Sequence, residues 1–304
     1  MPLDPTVEVM LQQMADAGGP ALTEMSPPDA REMYRTLQAE SPKPEVASVE
    51  DRKAGEIPVR IYKVSDQSNQ PVVVFFHGGG WVIGDLETHD SACRQLAIAA
   101  ECTVIAVDYR LAPEHPFPAS IDDCFEATRW VADNASSLGV DANRLTVAGD
   151  SAGGNLAACV CLKAKEASGP EIGFQLLIYP VTDARMNTDS YEANKDGYML
   201  TKEGMEWFWD LYTGGDHVDN PHASPMSASD LSGLPAACII TAEYDPLRDE
   251  GEAYGAALSA AGVTTNAVRF DGMIHGFFGM TDLLEGSRKA MDLAAAELVR
   301  AFNR

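Results

Sequence analysis

Leu145-Thr146-Val147-Ala148-Gly149-Asp150-Ser151-Ala152-Gly153-Gly154-Asn155-Leu156 reads as a strand, a tight turn and the start of a helix. Its centre, Gly149 to Gly153, matches the G-x-S-x-G nucleophile elbow. The context is the required one, with an apolar strand over Leu145–Ala148 and a helical pattern over Gly154–Ala167. The turn is so tight that a Cβ on either flanking position would meet neighbouring backbone, so both are glycine. Ser151 is then held with its hydroxyl exposed, and the helix that follows presents free N–H groups and the positive end of its dipole. A plain glycine-rich turn is the alternative reading of five residues alone; the strand and helix around them argue against it.

Working outward, strand and helix patterns alternate. Pro71–Phe76 is a continuous β-branched and aromatic run, as expected of a strand buried on both faces. Thr88–Glu101 reads as helix, Thr103–Asp108 as strand, Ala119–Ala135 as helix and Phe174–Tyr179 as strand. Ala236–Ala242, Arg248–Ala261, Thr265–Phe270 and Asp282–Phe302 continue as strand, helix, strand and helix. This order predicts an α/β fold, a mostly parallel central sheet with helices on both faces. Two further strand patterns lie near Ala47–Arg52 and Pro58–Val64. Thr182 to about Leu231 breaks the alternation and carries one clear helix, Lys202–Tyr212, started by Thr201 and stopped at Gly214-Gly215. Two N-terminal helices, the second from about Asp29 after Pro27-Pro28, complete the pattern. The expected division is 1–45 as the N-terminal part of a helical cap, 46–182 as the first part of the α/β core, 183–231 as the inserted cap and 232–304 as the rest of the core.

His77-Gly78-Gly79-Gly80-Trp81 directly follows the buried strand. Three glycines let the backbone come close to a substrate oxygen, so Gly79, Gly80 and Ala152 are candidate oxyanion donors. A phosphate loop is excluded, because no Gly-Lys-Ser/Thr follows and no G-x-G-x-x-G is present. His77 reads as an anchor of the loop. A serine nucleophile needs a base. Of the six histidines, His89 starts a helix, His115 lies in a proline-rich stretch, and His217 and His222 fall in the cap. His275 follows the last predicted strand, where a doubly wound hydrolase carries its base. Asp245, closing the next-to-last strand in Asp245-Pro246-Leu247-Arg248-Asp249, completes the order Ser151, Asp245, His275. Asp183, Asp249 and Asp271 are its rivals. Asp245 is favoured because the long interval after Ser151 leaves room for the cap.

The 304 residues are 45% hydrophobic and 22% charged, which excludes a disordered or fibrous chain. A net charge of −24 repels phosphate backbones and anionic lipid, so neither nucleic acid nor a membrane surface is an expected partner. The six cysteines lack metal-ligand or disulfide spacing, and no signal peptide or membrane-spanning run appears; the expected location is cytoplasmic. No metal or other cofactor is expected. Tyr198, Met199, Trp207, Phe208, Trp209 and Tyr212 give the cap an aromatic wall, and with Trp81 they are the candidate substrate pocket. Simple packing accounts for about half of such a wall, and the remainder closes on the acyl group. Bulky walls favour short acyl chains.

With these residues in hand, the chain resembles the hormone-sensitive-lipase-like carboxylesterases, bacterial family IV of the α/β-hydrolases. The resemblance rests on His77 to Asp85, Tyr109-Arg110-Leu111-Ala112-Pro113-Glu114-His115-Pro116, Gly149 to Asn155, Tyr179-Pro180, Asp245 to Gly251 and His275-Gly276-Phe277. It implies an α/β-hydrolase fold with a helical cap, Ser151 as nucleophile, His275 as base, Asp245 as orienting acid, and oxyanion donors at Gly79, Gly80 and Ala152. The implied substrate is a small-molecule ester with an acyl chain of about C2–C6. The implied assembly is a homodimer through the edge strand near Thr265–Phe270. An amidase or peptidase could use the same triad. A receptor-like binding protein is the rival of another class: plant gibberellin receptors look like this family but lack the catalytic histidine, which His275 supplies here.

Overall fold

A computed structural model describes residues 1–215 and 219–303; His217 lies outside them. Eight strands form one sheet: β1 (Ser48–Ala54), β2 (Ile57–Lys63), β3 (Gln70–Phe76), β4 (Thr103–Val107), β5 (Val140–Asp150), β6 (Phe174–Ile178), β7 (Ala236–Tyr244) and β8 (Thr265–Ile274). Their order is β1-β2-β4-β3-β5-β6-β7-β8, with β2 antiparallel to both β1 and β4 and every other pairing parallel. Parallel strands need crossovers. These are α3 (Asp90–Ala100), α4 (Ala119–Asp133) with α5 (Ala135–Leu138), α6 (Ala152–Ala167) and α9 (Arg248–Ala260); α10 (Glu285–Phe302) closes the chain.

The alternation along β3 shows how the sheet divides the core. Val72, Val74 and Phe76 face one apolar cluster with residues of α4, α6 and α9, among them Phe125, Leu156 and Tyr254. Val73 and Phe75 face the other, with Leu96 of α3 and Leu298 of α10. A strand whose two faces are both apolar can lie only in the middle of a covered sheet. β3 accordingly sits between β4 and β5.

The strands that carry the site run further than the sequence pattern predicts, β7 among them, which reaches Tyr244. β5 extends to Asp150 because Gly149 and Asp150 still pair with Leu177 and Ile178. β8 continues to Ile274, where it pairs with Tyr244 beyond an irregularity in β7. The strands after which His77, Ser151, Asp245 and His275 follow, namely β3, β5, β7 and β8, are parallel, so all four residues emerge at one edge.

The N-terminal helices are α1 (Pro5–Ala17) and α2 (Pro27–Gln38). α2 starts two residues earlier than the expected Asp29, since Pro27 occupies its first turn, where a missing N–H does no harm, and Ser26 caps it. Between β6 and β7 lie α7 (Asp189–Ala193), which the sequence pattern does not reveal, and α8 (Lys202–Thr213). Thr201 Oγ1 accepts the Gly204 N–H at 2.9 Å to start α8, and Gly214, at φ 69°, ends it. Met205, Phe208, Trp209 and Tyr212 form its buried stripe at helical spacing. Thr23, in the turn between α1 and α2, reaches Glu203 of α8, which joins the two helical parts.

The junction of β5 and α6 has no spare room. A Cβ on Gly153 would stand 1.9 Å from the Phe76 carbonyl oxygen of β3. Backbone on both sides cannot yield as a flexible side chain would. Gly153→Ala is therefore expected to cost about 2–3 kcal/mol or more of stability, read as a lower urea midpoint. An unchanged midpoint would disprove the close approach.

Candidate active site

Ser151 links β5 to α6 with φ 57° and ψ −119°, a region that side chains other than glycine rarely occupy. The turn is held from both sides. Ser151 N–H donates to Ile178 O at 2.8 Å, and Ser151 O accepts the N–H groups of Asn155 and Val181. Asn155 adds hydrogen bonds from its amide to Val181 O and Ala223 O, tying the turn to the segment between β6 and β7. The strained backbone thus persists because its neighbours over-determine it.

His275 and Asp245 come to Ser151 from the ends of β8 and β7. His275 Nε2 lies 3.0 Å from Ser151 Oγ, and Nδ1 lies 2.7 Å from Asp245 Oδ2. Asp245 is fully buried, and its other oxygen accepts the Leu247 N–H at 2.8 Å. With Nδ1–H donating to Asp245, Nε2 turns a lone pair toward the serine hydroxyl. The Tyr179 ring stands 4.5 Å from the imidazole and supports one side of it. Of the rival carboxylates, Asp183 pairs with Arg185, Asp249 pairs with Arg248 and the Ser190 N–H, and Asp271 is exposed. Among the other described histidines, His115 is exposed and His222 pairs with Glu166.

The loop after β3 lies beside this row. Gly79 has φ 113°, Gly80 58° and Trp81 60°. Gly78 N–H donates to Asp150 Oδ1 at 2.9 Å, so the residue before the serine also holds the glycine loop. Ala152 is the first residue of α6, where a backbone N–H has no partner within the helix. Behind the loop, Tyr109 O–H donates to His77 O at 2.7 Å and its ring stacks on His77, while His89 Nε2 approaches Asp150 to 3.3 Å. Burial, then the neighbouring His89, pushes His77 down to about 4, so it stays neutral. Asp150 is held below the usual carboxylate range: burial opposes this, and the nearby histidines, His89 foremost, outweigh it.

A serine hydroxyl, an imidazole, a buried carboxylate and a glycine loop meet at one sheet edge, and residues 73–279 match the family described as the alpha/beta hydrolase fold. The chain belongs to the α/β-hydrolase family. Its carboxylesterase relatives place it in the hormone-sensitive-lipase-like branch. This hydrolase is 43% identical over 265 residues to Carboxylesterase NlhH of Mycobacterium tuberculosis, covering 84% of this chain and 83% of that one. It is 37% identical over 259 residues to Ethyl acetate hydrolase of Pseudomonas putida, covering 83% and 80%. Among solved structures, the ester-hydrolase EH1AB1 from the metagenome of Lake Arreo, complexed with a bipyridine phosphonate derivative, is 44% identical. It superposes with a TM-score of 0.95 over 99% of this chain and all of that one.

The aromatic candidates separate into two groups in the hydrolase. Trp81, Trp209 and Tyr212 are buried together: Tyr212 stacks on Trp81 at 4.2 Å, and Trp209 stands 4.6 Å from it. Phe208 and Met199 lie instead against Gly80 and Gly276. A Cβ on Gly80 would meet the Phe208 ring at 2.1 Å, and one on Gly276 would meet Met199 Cε at 2.6 Å. Trp207 packs edge-on to Phe208, and Tyr198 packs on Tyr244.

Two contributors are not singled out by the sequence reading, although Glu250 lies within the Asp245–Gly251 block. Glu250 is buried and accepts the Thr182 and Asp183 N–H groups at 2.6 and 3.2 Å; burial pushes its carboxyl well above the usual range. Arg31 of α2 reaches the loop after β3. Both lie in charged stretches, Asp29-Ala30-Arg31-Glu32 and Arg248-Asp249-Glu250-Gly251-Glu252, so residue type alone does not mark them.

The low value of His77 sets a pH dependence. The unfolded chain takes up a proton near 6.5 and the folded one near 4, so this contribution to stability is complete at neutral pH and is lost as pH falls between those values. The stability margin of wild type over His77→Asn is expected to shrink by about 2 kcal/mol between pH 7 and pH 5. Urea melts at the two pH values measure it, and a constant margin would show that His77 is not buried as a neutral group.

Proposed function

We propose that this hydrolase is a serine carboxylesterase acting on small esters with acyl chains of about C2–C6. The carrying observation is the hydrogen-bonded row Ser151 Oγ, His275 Nε2, His275 Nδ1, Asp245 Oδ2, with steps of 3.0 and 2.7 Å. Ser151 Oγ attacks the ester carbonyl carbon and gives its proton to His275 Nε2. Asp245 keeps the imidazole oriented and stabilises its charged form. The carbonyl oxygen becomes an oxyanion that takes hydrogen bonds from Gly79, Gly80 and Ala152 N–H groups, each typically worth about 10²–10³ in rate. As the tetrahedral adduct collapses, the C–O bond to the alcohol breaks and His275 returns the proton to the leaving oxygen. Water then attacks the acyl-serine by the same route and frees the carboxylic acid.

The short-acyl reading is supported by the bulky side chains of Phe208 and Met199, which stand against Gly80 and Gly276 beside the proposed oxyanion donors and base. The name of the Pseudomonas putida relative points the same way. A cytoplasmic location belongs to the same proposal and is supported by six buried, unpaired cysteines. No helix among the described residues is long and apolar enough to cross a membrane.

p-Nitrophenyl esters from acetate to palmitate test the reading. Hydrolysis is expected to peak at short chains, and Ser151→Ala to lose at least about 10⁴-fold in kcat while keeping the wild-type circular dichroism spectrum. Retained turnover in pure Ser151→Ala would refute the nucleophile, and a peak at palmitate would refute the short cleft. Asp245→Asn is expected to lose about 10³–10⁴-fold, because the amide does not hold the required tautomer.

A further inference from the structure

Trp81 follows directly on the two glycines whose N–H groups the proposed mechanism uses, and its φ of 60° is one that a residue with a large side chain keeps only when its surroundings hold it. Whatever holds Trp81 also sets the direction of the Gly79 and Gly80 donors. Two helices outside the sheet do the holding. From α8, Tyr212 stacks on the indole with an interplanar angle of 9°. From α2, Arg31 acts on the backbone. Its Nε donates to Val82 O at 2.8 Å and its Nη2 to Ala112 O at 2.9 Å. Ala112 N–H in turn donates to Trp81 O at 2.9 Å. The guanidinium and Ala112 together therefore clasp the two peptide units on either side of Val82.

Two further donors of Arg31 are also used. Nη1 and Nη2 meet the two oxygens of Glu114 at 2.9 and 2.6 Å, a bidentate pair that leaves the planar fork one orientation. A lysine at this position could supply charge but not the fixed fork. One turn along the same face of α2, Tyr34 lies edge-on to His89 and Arg35 pairs with Asp85 at 2.5 Å. α2 thus grips the loop at Val82, Asp85 and His89.

We infer that Arg31 is a positioning residue for the oxyanion loop. Through Val82 and Ala112 it keeps the Gly79–Trp81 backbone in the conformation that aims the N–H groups at the developing negative charge. It makes α2 part of the active site without touching substrate. The inference rests on the esterase reading above.

The test compares wild type, Arg31→Ala and Arg31→Lys on p-nitrophenyl butyrate, with kcat expressed per active site titrated by a phosphonate ester. Both variants are expected to lose about tenfold to a hundredfold in kcat with KM within about twofold of wild type, since a displaced donor costs transition-state stabilisation rather than binding. Guanidinium chloride at non-denaturing concentration is expected to restore part of the Arg31→Ala loss and to leave wild type unimproved. Where Arg31→Ala does not fold, Arg31→Lys carries the same kcat and KM comparison. Wild-type kcat in the variants, a change confined to KM, or no guanidinium rescue in folded Arg31→Ala each overturn the role of Arg31. A wild type inactive on every ester overturns the esterase reading itself.

Discussion

The contact between Gly153 and the Phe76 carbonyl is the tightest constraint at the site, and the other parts are placed relative to it. It brings the first turn of α6 down onto the end of β3. The strand-to-helix turn must then be made within Ser151, whose strained backbone angles follow. The same contact sets the elbow beside the His77–Gly80 loop, close enough for Gly78 to donate to Asp150. Serine, glycine loop and helix N-terminus are neighbours because two parallel strands end side by side. The acid and base follow from the next parallel strands, whose ends at the same edge carry Asp245 and His275.

Beneath the glycine loop lies a buried polar layer, and its low dielectric makes each hydrogen bond stronger and each missing one more costly. His77, Tyr109, His89 and Asp150 contact one another and the loop backbone there, with His77 Nε2 left without a hydrogen-bond partner among the described residues. Neutral His77 serves as a hydrogen-bonding wedge, while the Asp150 charge faces the histidines. Glu250 plays the corresponding part on the other side of the serine, accepting two N–H groups from the loop after β6. These groups bear on catalysis by limiting how far the loops around Ser151 can move.

The helices outside the sheet divide between packing and enclosure. α8 sends Trp209 and Tyr212 inward to stack against Trp81, and sends Phe208 over Gly80. One amphipathic helix can do both because residues 208, 209 and 212 share a stripe while diverging in direction along it. α2 adds polar contacts where α8 adds aromatic ones. Both reach the oxyanion loop at its strained residue or the one after it.

Sequence by itself determined the layered α/β plan and the tight glycine-serine turn after β5, because these depend on local rules: a continuous β-branched and aromatic run in β3, helical spacing in α8, and glycine where a Cβ cannot fit. The motif blocks added the choice of family, which the match over residues 73–279 bears out. Tertiary structure alone showed the contact itself: chain order favoured Asp245, and its carboxylate meets the His275 imidazole while Asp183 lies on Arg185. It also decided which aromatics pack on Trp81, where β5 and β8 end, and that Arg31, far from any motif, grips the loop after β3. Spacing along a chain specifies which face of an element a residue occupies; which partner waits opposite that face depends on contacts between elements distant in sequence.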